Sequence, residues 1–299
     1  MKLDSPCVLY LQRLAPSGRQ SMTSQLKQIK NILEWHGATE TQPFHILGYA
    51  QIELIKQKLV SNNKSSRTIN HAITGLKGIV KTGFLMGLTN EKVWLQVQAI
   101  KSVKVSASNR GSALSGFDVQ RLLADCYLDK RPIGVRDSAI LAVFLTTGLR
   151  RFELSNLTHE NYDQKQQSLS VIKGKGAKSR CQYLPEWAVP YLQAWLRIRG
   201  NESGYLFNPF HSRVPNPTNK LSKSSLYQIV TSRTEMTLDK SSAPHDLRRT
   251  FITQLLRQNV DLSTASKLAG HASLATTQIY DKRDEAVSRE AALSLNFKE

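Results

Sequence analysis

At 299 residues the chain is long enough for two domains, and 40% hydrophobic residues can supply a core for each. Three scattered cysteines (Cys7, Cys126, Cys181) form no Cys-x-x-Cys pair, which argues against a disulfide scaffold or a zinc site and fits a reducing cytosol. The unusual property is charge: Lys+Arg 41 against Asp+Glu 23 gives +18, and residues 1–105, with 14 basic and 5 acidic side chains, carry half of the excess. Two equally basic halves suggest two surfaces gripping one polyanion, where a basic tail would be only a local anchor. The N-terminus has no signal-peptide pattern. The longest apolar run, Ala139–Leu145, is too short for a bilayer, so no membrane role is expected.

Residues 1–90 read as a small all-helical unit. A first short helix holds Leu9, Leu11 and Leu14 and is ended by Pro16 and Gly18. A second runs from about Thr23 to Trp35 with Leu26, Ile29 and Leu33 on one face, and Gly37 stops it. A third, near Ile46–Val60, buries Ile52, Ile55 and Leu59. A fourth starts at the Ser65-Ser66 caps and buries Ile69, Ile73, Leu76 and Val80. Its outer side carries Arg67, His71, Lys77 and Lys81, which suit phosphate contacts or a solvated face. Residues 98–113 are rich in Ser, Lys and small side chains and read as a linker, dividing domains at 1–97 and 114–299.

The second domain opens on capping-box spacing, Ser115 to Asp118. A mostly apolar helix, Arg136–Thr147, breaks at Gly148 and is followed by Leu149-Arg150-Arg151-Phe152-Glu153-Leu154. Ser168–Ile172 and Cys181–Leu184 read as the strands of a hairpin whose turn, Lys173–Arg180, is strongly basic. Helix returns over Glu186–Arg199, a Pro- and Asn-rich loop spans Asn208–Asn219, and another helix begins near Ser222. The fold class is therefore mainly α with a small β-hairpin or sheet. The segment Ala286–Leu295 reads as a weak amphipathic helix.

Pro244–Tyr280 is the centre of the chain. Pro244 suits the first position of a helix on which His245 and Arg248 share a face, with Phe251, Leu255 and Leu256 as its buried stripe. A second helix, about Leu262–Ala269, stops at Gly270, and a third starts at Ser273 and carries Tyr280 two turns in. Two imidazoles (His245, His271), a guanidinium and a phenol can so converge, a set suited to attack on a phosphodiester.

In these features the chain resembles the tyrosine recombinases, the phage-integrase family, and among them Xer-like and transposon-borne members. Thr147-Gly148-Leu149-Arg150-x-x-Glu153-Leu154 is similar to the first arginine box, Gly174-Lys175-Gly176 to the hairpin lysine, His245-x-x-Arg248 to the second box, and Gly270-His271 with Tyr280 nine residues on to the third. One departure is Leu268-Ala269-Gly270-His271, where the family has Leu-Gly-His. The resemblance spans essentially the whole chain and implies a helical core-binding domain ahead of an α+β catalytic domain.

The resemblance also implies roles. Arg150 and Arg248 fork onto the phosphodiester oxygens. A tyrosine, with an ordinary pKa of about 10, needs a cationic pocket or a base, so Tyr280 attacks while His245 takes its proton. His271 hydrogen-bonds the phosphate, and Lys175 protonates the leaving 5′-oxygen, with Lys173 and Lys178 as alternative acids or phosphate contacts. Glu153 orients the site from behind. The 3′-phosphotyrosyl link stores the bond energy, so no cofactor or metal is expected. The implied partner is a double-stranded DNA recombination site held by a homotetramer on DNA (a dimer or monomer when free), with accessory DNA-bending or partner recombinase proteins, in the cytoplasm of a bacterial or phage system. A type IB topoisomerase-like nicking-closing enzyme and a silent DNA-binding protein are the other readings.

Overall fold

A computed structural model describes residues 5–104, 111–172, 179–211, 214–271, 273–281 and 293. The chain divides into two compact units, residues 1–109 and 110–299.

Among its described residues the first unit has five α-helices: α1 (Pro6–Gln12), α2 (Pro16–Ile32), α3 (Tyr49–Ser61), α4 (Ser66–Leu85) and α5 (Glu91–Gln98). Pro16 begins α2 rather than ending a first helix, because proline at the first helical position loses no hydrogen bond. The chain can turn there because Arg19 Nε donates back to Leu11 O, a carbonyl in the last turn of α1 (3.0 Å). The third helix starts later than its periodicity suggests, since Phe44–Ile46 form a separate 3-10 turn. Ser65 caps α4, its hydroxyl accepting from Thr68 N–H (3.2 Å). Ile69, Ile73, Leu76 and Val80 of α4 are buried against Leu26, Ile29, Ile52, Ile55 and Leu59. Helix α5 is not foreseen from sequence. Asn90 caps it (Lys92 N–H to Oδ1, 2.8 Å), and Trp94 stacks on Phe84 with centroids 4.5 Å apart. Ile100 and Val103 join this core, and Asn70 pairs with both the N–H and the C=O of Val103, so 98–104 packs here rather than spanning open solvent.

The second unit is built around α7 (Pro132–Thr147), with nearly every side chain buried. α6 (Gly116–Leu128) starts with the expected reciprocal pair, Ser115 Oγ accepting from Asp118 N–H (3.0 Å) and Asp118 from Ser115 N–H (3.2 Å). α8 (Arg151–Ser155) follows Gly148 directly. An antiparallel sheet, β1 (Tyr162–Asp163), β2 (Ser168–Val171) and β3 (Arg180–Tyr183), pairs Val171 with Arg180 at the mouth of the hairpin. α9 (Val189–Arg199) places Trp195 in the core, where Nε1–H donates to Leu206 O (2.8 Å). Two short strands, β4 (Phe210–His211) and β5 (Val214–Pro215), pair within the stretch read as loop. Then come α10 (Lys223–Leu238), α11 (Pro244–Arg257), α12 (Leu262–Ala269) and α13 (Leu274–Gln278). Tyr280 lies in the turn after α13, its N–H donating to Thr277 O (2.9 Å), and not within a helix. The Ala286–Leu295 helix falls outside the described residues except for Leu293.

α7 is fixed at its polar end by buried charge. Asp137 accepts from Arg136 (2.8 Å) and Arg233 (2.9 Å), and Arg233 also reaches Asp129 (3.0 Å). Removing the central carboxylate leaves two buried guanidinium groups without it. Asp137→Ala is expected to lower stability by about 3–5 kcal/mol, read as a lower urea midpoint with an unchanged denaturant slope.

Candidate active site

Two left-handed glycines set the frame. Gly148 (φ 57°) ends α7 and turns the chain so that Arg150 becomes the N-cap of α8; a Cβ there would overlap the Phe251 ring. Gly270 (φ 64°) ends α12 and presents His271; a Cβ there would meet the Arg180 guanidinium.

Arg248, on the second turn of α11, is 2% exposed and joins these turns. Nη1 donates to Gly148 O (2.5 Å) and Nη2 to Ala269 O (2.6 Å). Burial, then the charge of Arg150, lowers its pKa to about 10, so it stays charged. Arg150 is more open, its side chain 46% exposed, and donates to Gly270 O (3.1 Å) and to Glu153 Oε1 (3.3 Å). Both guanidiniums thus grip the Ala269–Gly270 turn while keeping further N–H donors.

Glu153 is the counter-charge, with its side chain only 8% exposed. It accepts Arg150 N–H (2.7 Å) and a two-pronged bond from Arg180 (2.8 and 2.9 Å). Burial alone would raise its pKa, but the bonds from Arg180 and the Arg150 N–H prevail and hold it at about 2. From sequence alone Arg180 reads as one more cation of the hairpin turn. A signal existed: a glutamate inside a ring of arginines needs a cation of its own, and the strand start facing it supplies one. Gln182, two residues on along β3, donates to Leu268 O (2.5 Å), so the strand holds α12 at a second point.

The histidines and the tyrosine complete the cluster. Tyr280 Oη lies 3.4 Å from His245 Nε2. His271 Nδ1 lies 2.7 Å from Thr277 Oγ1, and its ring runs near-parallel to that of Tyr280, centroids 6.2 Å apart. Burial, then Arg248, Arg150, His245 and Arg180, lowers the His271 pKa to about 4. His245 is lowered as well, by partial burial and then by Arg249, Arg248 and Arg150, against Asp246. Both imidazoles are therefore neutral near pH 7: His245 can accept a proton, and His271 can share its hydrogen bond with Thr277. Arg249, the residue after Arg248, lies over the Tyr280 ring (5.8 Å to the centroid).

The structure thus brings together Arg150, Glu153, His245, Arg248, His271 and Tyr280. Lys173, Lys175 and Lys178 lie outside the described residues. Arg67 and Lys81 are exposed on α4 of the first unit. Lys77 there turns inward instead, its ammonium donating to Gln98 O (2.8 Å) and Ile100 O (2.7 Å).

A helical frame with a small antiparallel sheet and a cationic cluster around a tyrosine is that of a tyrosine-type site-specific recombinase. Residues 112–286 match the model of the Phage integrase family, and the chain belongs to that family. It is 28% identical over 281 residues to tyrosine recombinase XerC of Alcanivorax borkumensis, covering 92% of this chain and 88% of that one. It is 32% identical over 282 residues to tyrosine recombinase XerD of Pseudomonas aeruginosa (91% and 89% covered). Its fold matches that of the Tn1549 transposon integrase solved in complex with circular intermediate DNA, with TM-score 0.71, 17% identity, and 98% and 100% of the two chains covered. Among the described residues no helix is long and apolar enough to cross a membrane.

The depressed Glu153 fixes the sign of an acid dependence. Its folded pKa lies below the unfolded value, so its contribution is present above about pH 4.5 and is lost as pH falls towards about 2. That contribution is about 3 kcal/mol. Glu153→Gln should unfold more readily at pH 6 and lose less stability between pH 5 and 2 than wild type, checked by urea midpoints across that range.

Proposed function

We propose that Tyr280 cleaves one strand of a duplex recombination site. Oη attacks the phosphorus, the P–O5′ bond breaks, and a 3′-phosphotyrosyl link and a free 5′-hydroxyl result. The Tyr280 proton passes to His245. The leaving oxygen takes its proton from the hairpin lysine, for which Lys175 is the assignment and Lys173 and Lys178 are the alternatives. Arg150 and Arg248 hold the non-bridging oxygens, and His271 adds a hydrogen bond. Reversal with a 5′-hydroxyl from a second site rejoins the strand, so two such rounds exchange DNA between sites without an external energy source.

The observation that carries this reading is the 3.4 Å approach of Tyr280 Oη to His245 Nε2, beside arginines whose charge favours the neutral ring. The first helical unit, with Arg67 and Lys81 outward, grips the duplex beside the crossover, and the second unit supplies the chemistry. Four protomers hold two duplexes, with accessory DNA-bending proteins or a partner recombinase setting direction, and the reaction takes place in the cytoplasm. The near-equal share of positive charge in both halves of the sequence supports a two-sided grip.

Wild type and Tyr280→Phe are to be expressed in cells, covalent protein–DNA adducts isolated, and the attached DNA sequenced. Adducts at one motif in wild type and none in the variant are expected; adducts formed by Tyr280→Phe would remove it as nucleophile, and adducts scattered without a motif would point to a topoisomerase-like enzyme. On the recovered duplex, Arg150→Ala should lower cleavage at least about 100-fold while binding weakens far less. Equal losses in both would reduce Arg150 to an anchor.

A further inference from the structure

We propose that Arg249 is a positioning residue for strand cleavage: braced by Asp246, it lies over the Tyr280 ring and holds the phenol against His245. This inference rests on the roles given above to Tyr280 and His245.

Tyr280 needs such a hold because of where it sits. α13 has ended two residues earlier, at Gln278, and the described backbone tie at Tyr280 itself is the N–H bond to Thr277 O (2.9 Å). A ring on a turn keeps freedom about its side-chain torsions, and attack requires one orientation. Arg249 limits that freedom from α11. Its guanidinium carbon is 5.8 Å from the ring centroid, within the range at which a cation is drawn to an aromatic face.

The arginine is itself held in place. Asp246 Oδ1 accepts from Arg249 Nη1 (3.0 Å), while Oδ2 of the same carboxylate accepts Ala243 N–H (2.9 Å) at the start of α11. Both side chains of the pair are largely buried, 16% and 13% exposed. A cation present only to neutralise Asp246 would have no reason to stand over the nucleophile's ring. One helix therefore carries the base (His245), a phosphate-binding arginine (Arg248), the brace (Asp246) and the residue that places the nucleophile (Arg249).

The same position puts the charge of Arg249 close to His245. Among the groups facing that imidazole, Arg248 and Arg249 on α11, Arg150 at the start of α8 and the Tyr280 phenol surround it, and Asp246 opposes the cations. His271 lies within electrostatic reach of it as well. Arg249 helps keep His245 neutral and so able to accept the Tyr280 proton. Losing the positive charge raises the pH at which His245 titrates, and the acid limb of cleavage moves up with it.

Two readouts test this on the full chain. The first needs no DNA: the His245 titration and the Tyr280 ring resonances followed by NMR in wild type, Arg249→Gln and Arg249→Lys. Arg249→Gln should move the His245 midpoint up by about 0.5–1 on the pH scale and shift the Tyr280 ring signals. Arg249→Lys, which keeps a charge for Asp246 and for the ring, should leave the midpoint near wild type. The second uses the duplex recovered with wild-type adducts, nicked to trap the covalent complex. Arg249→Gln should bind it as wild type does but cleave about 3- to 30-fold more slowly, with the acid limb displaced upward; Arg249→Lys should restore the limb.

An unmoved His245 midpoint and unchanged Tyr280 signals in Arg249→Gln would overturn the inference. So would a loss confined to DNA affinity, which would make Arg249 a phosphate contact. Should Tyr280→Phe still form adducts, the cleavage role falls with the nucleophile assignment, whereas the NMR comparison reports on the Arg249 contact by itself.

Discussion

Arg248 sits where three chain segments meet, and its guanidinium is what joins them. It donates to the carbonyl that closes α7 and to the carbonyl that closes α12, from a position almost sealed from solvent. Arg150 lies two residues after the first carbonyl, and His271 two residues after the second. One rigid fork therefore sets the spacing between two groups that are 121 positions apart in sequence. The fork geometry matters as much as the charge, because both bonds must be made in fixed directions at once.

Crowding cations in this way is unfavourable unless something offsets the repulsion. Arg150, Arg180, Arg248 and Arg249 are met by Glu153 and Asp246. Glu153 carries the larger share, taking two bonds from Arg180 and one from the Arg150 backbone. The two acids leave a net positive pocket, whose remaining repulsion a bound anion would relieve. The neutrality of both histidines follows from the same crowding: burial and neighbouring cations push imidazole to release its proton. Placement of the arginines and availability of a base are thus one electrostatic arrangement.

Much of this was legible in the sequence because it is local. Capping at Ser65 and Ser115, the breaks at Gly148 and Gly270, and the buried stripes of α4 and α7 depend on residues a few positions apart. The departures concern ends and distant partners. Pro16 can stop one helix or start the next, and only the Arg19 bond back to α1 decides. The short α5 is settled by the stacking of Trp94 on Phe84. Tyr280 reads as helical from its spacing, but the helix stops at Gln278. Nothing in the residues next to Arg180, Arg249 or Lys77 sets them apart from surface cations. Their partners (Glu153, Tyr280, and the carbonyls of Gln98 and Ile100) lie 21 to 31 positions away, beyond any local pattern.

The surroundings of Arg248 also explain why no other cation would serve there. They lower the basicity of a guanidinium to about 10, which leaves it ionised at any pH a cell experiences. A lysine starts from about 10.4, so the same burial would bring it within reach of neutral pH and leave it part-time uncharged. The high intrinsic basicity of arginine is a reserve that this interior draws down. It lets a nearly solvent-free position keep a permanent charge with no carboxylate bonded to it among the described residues.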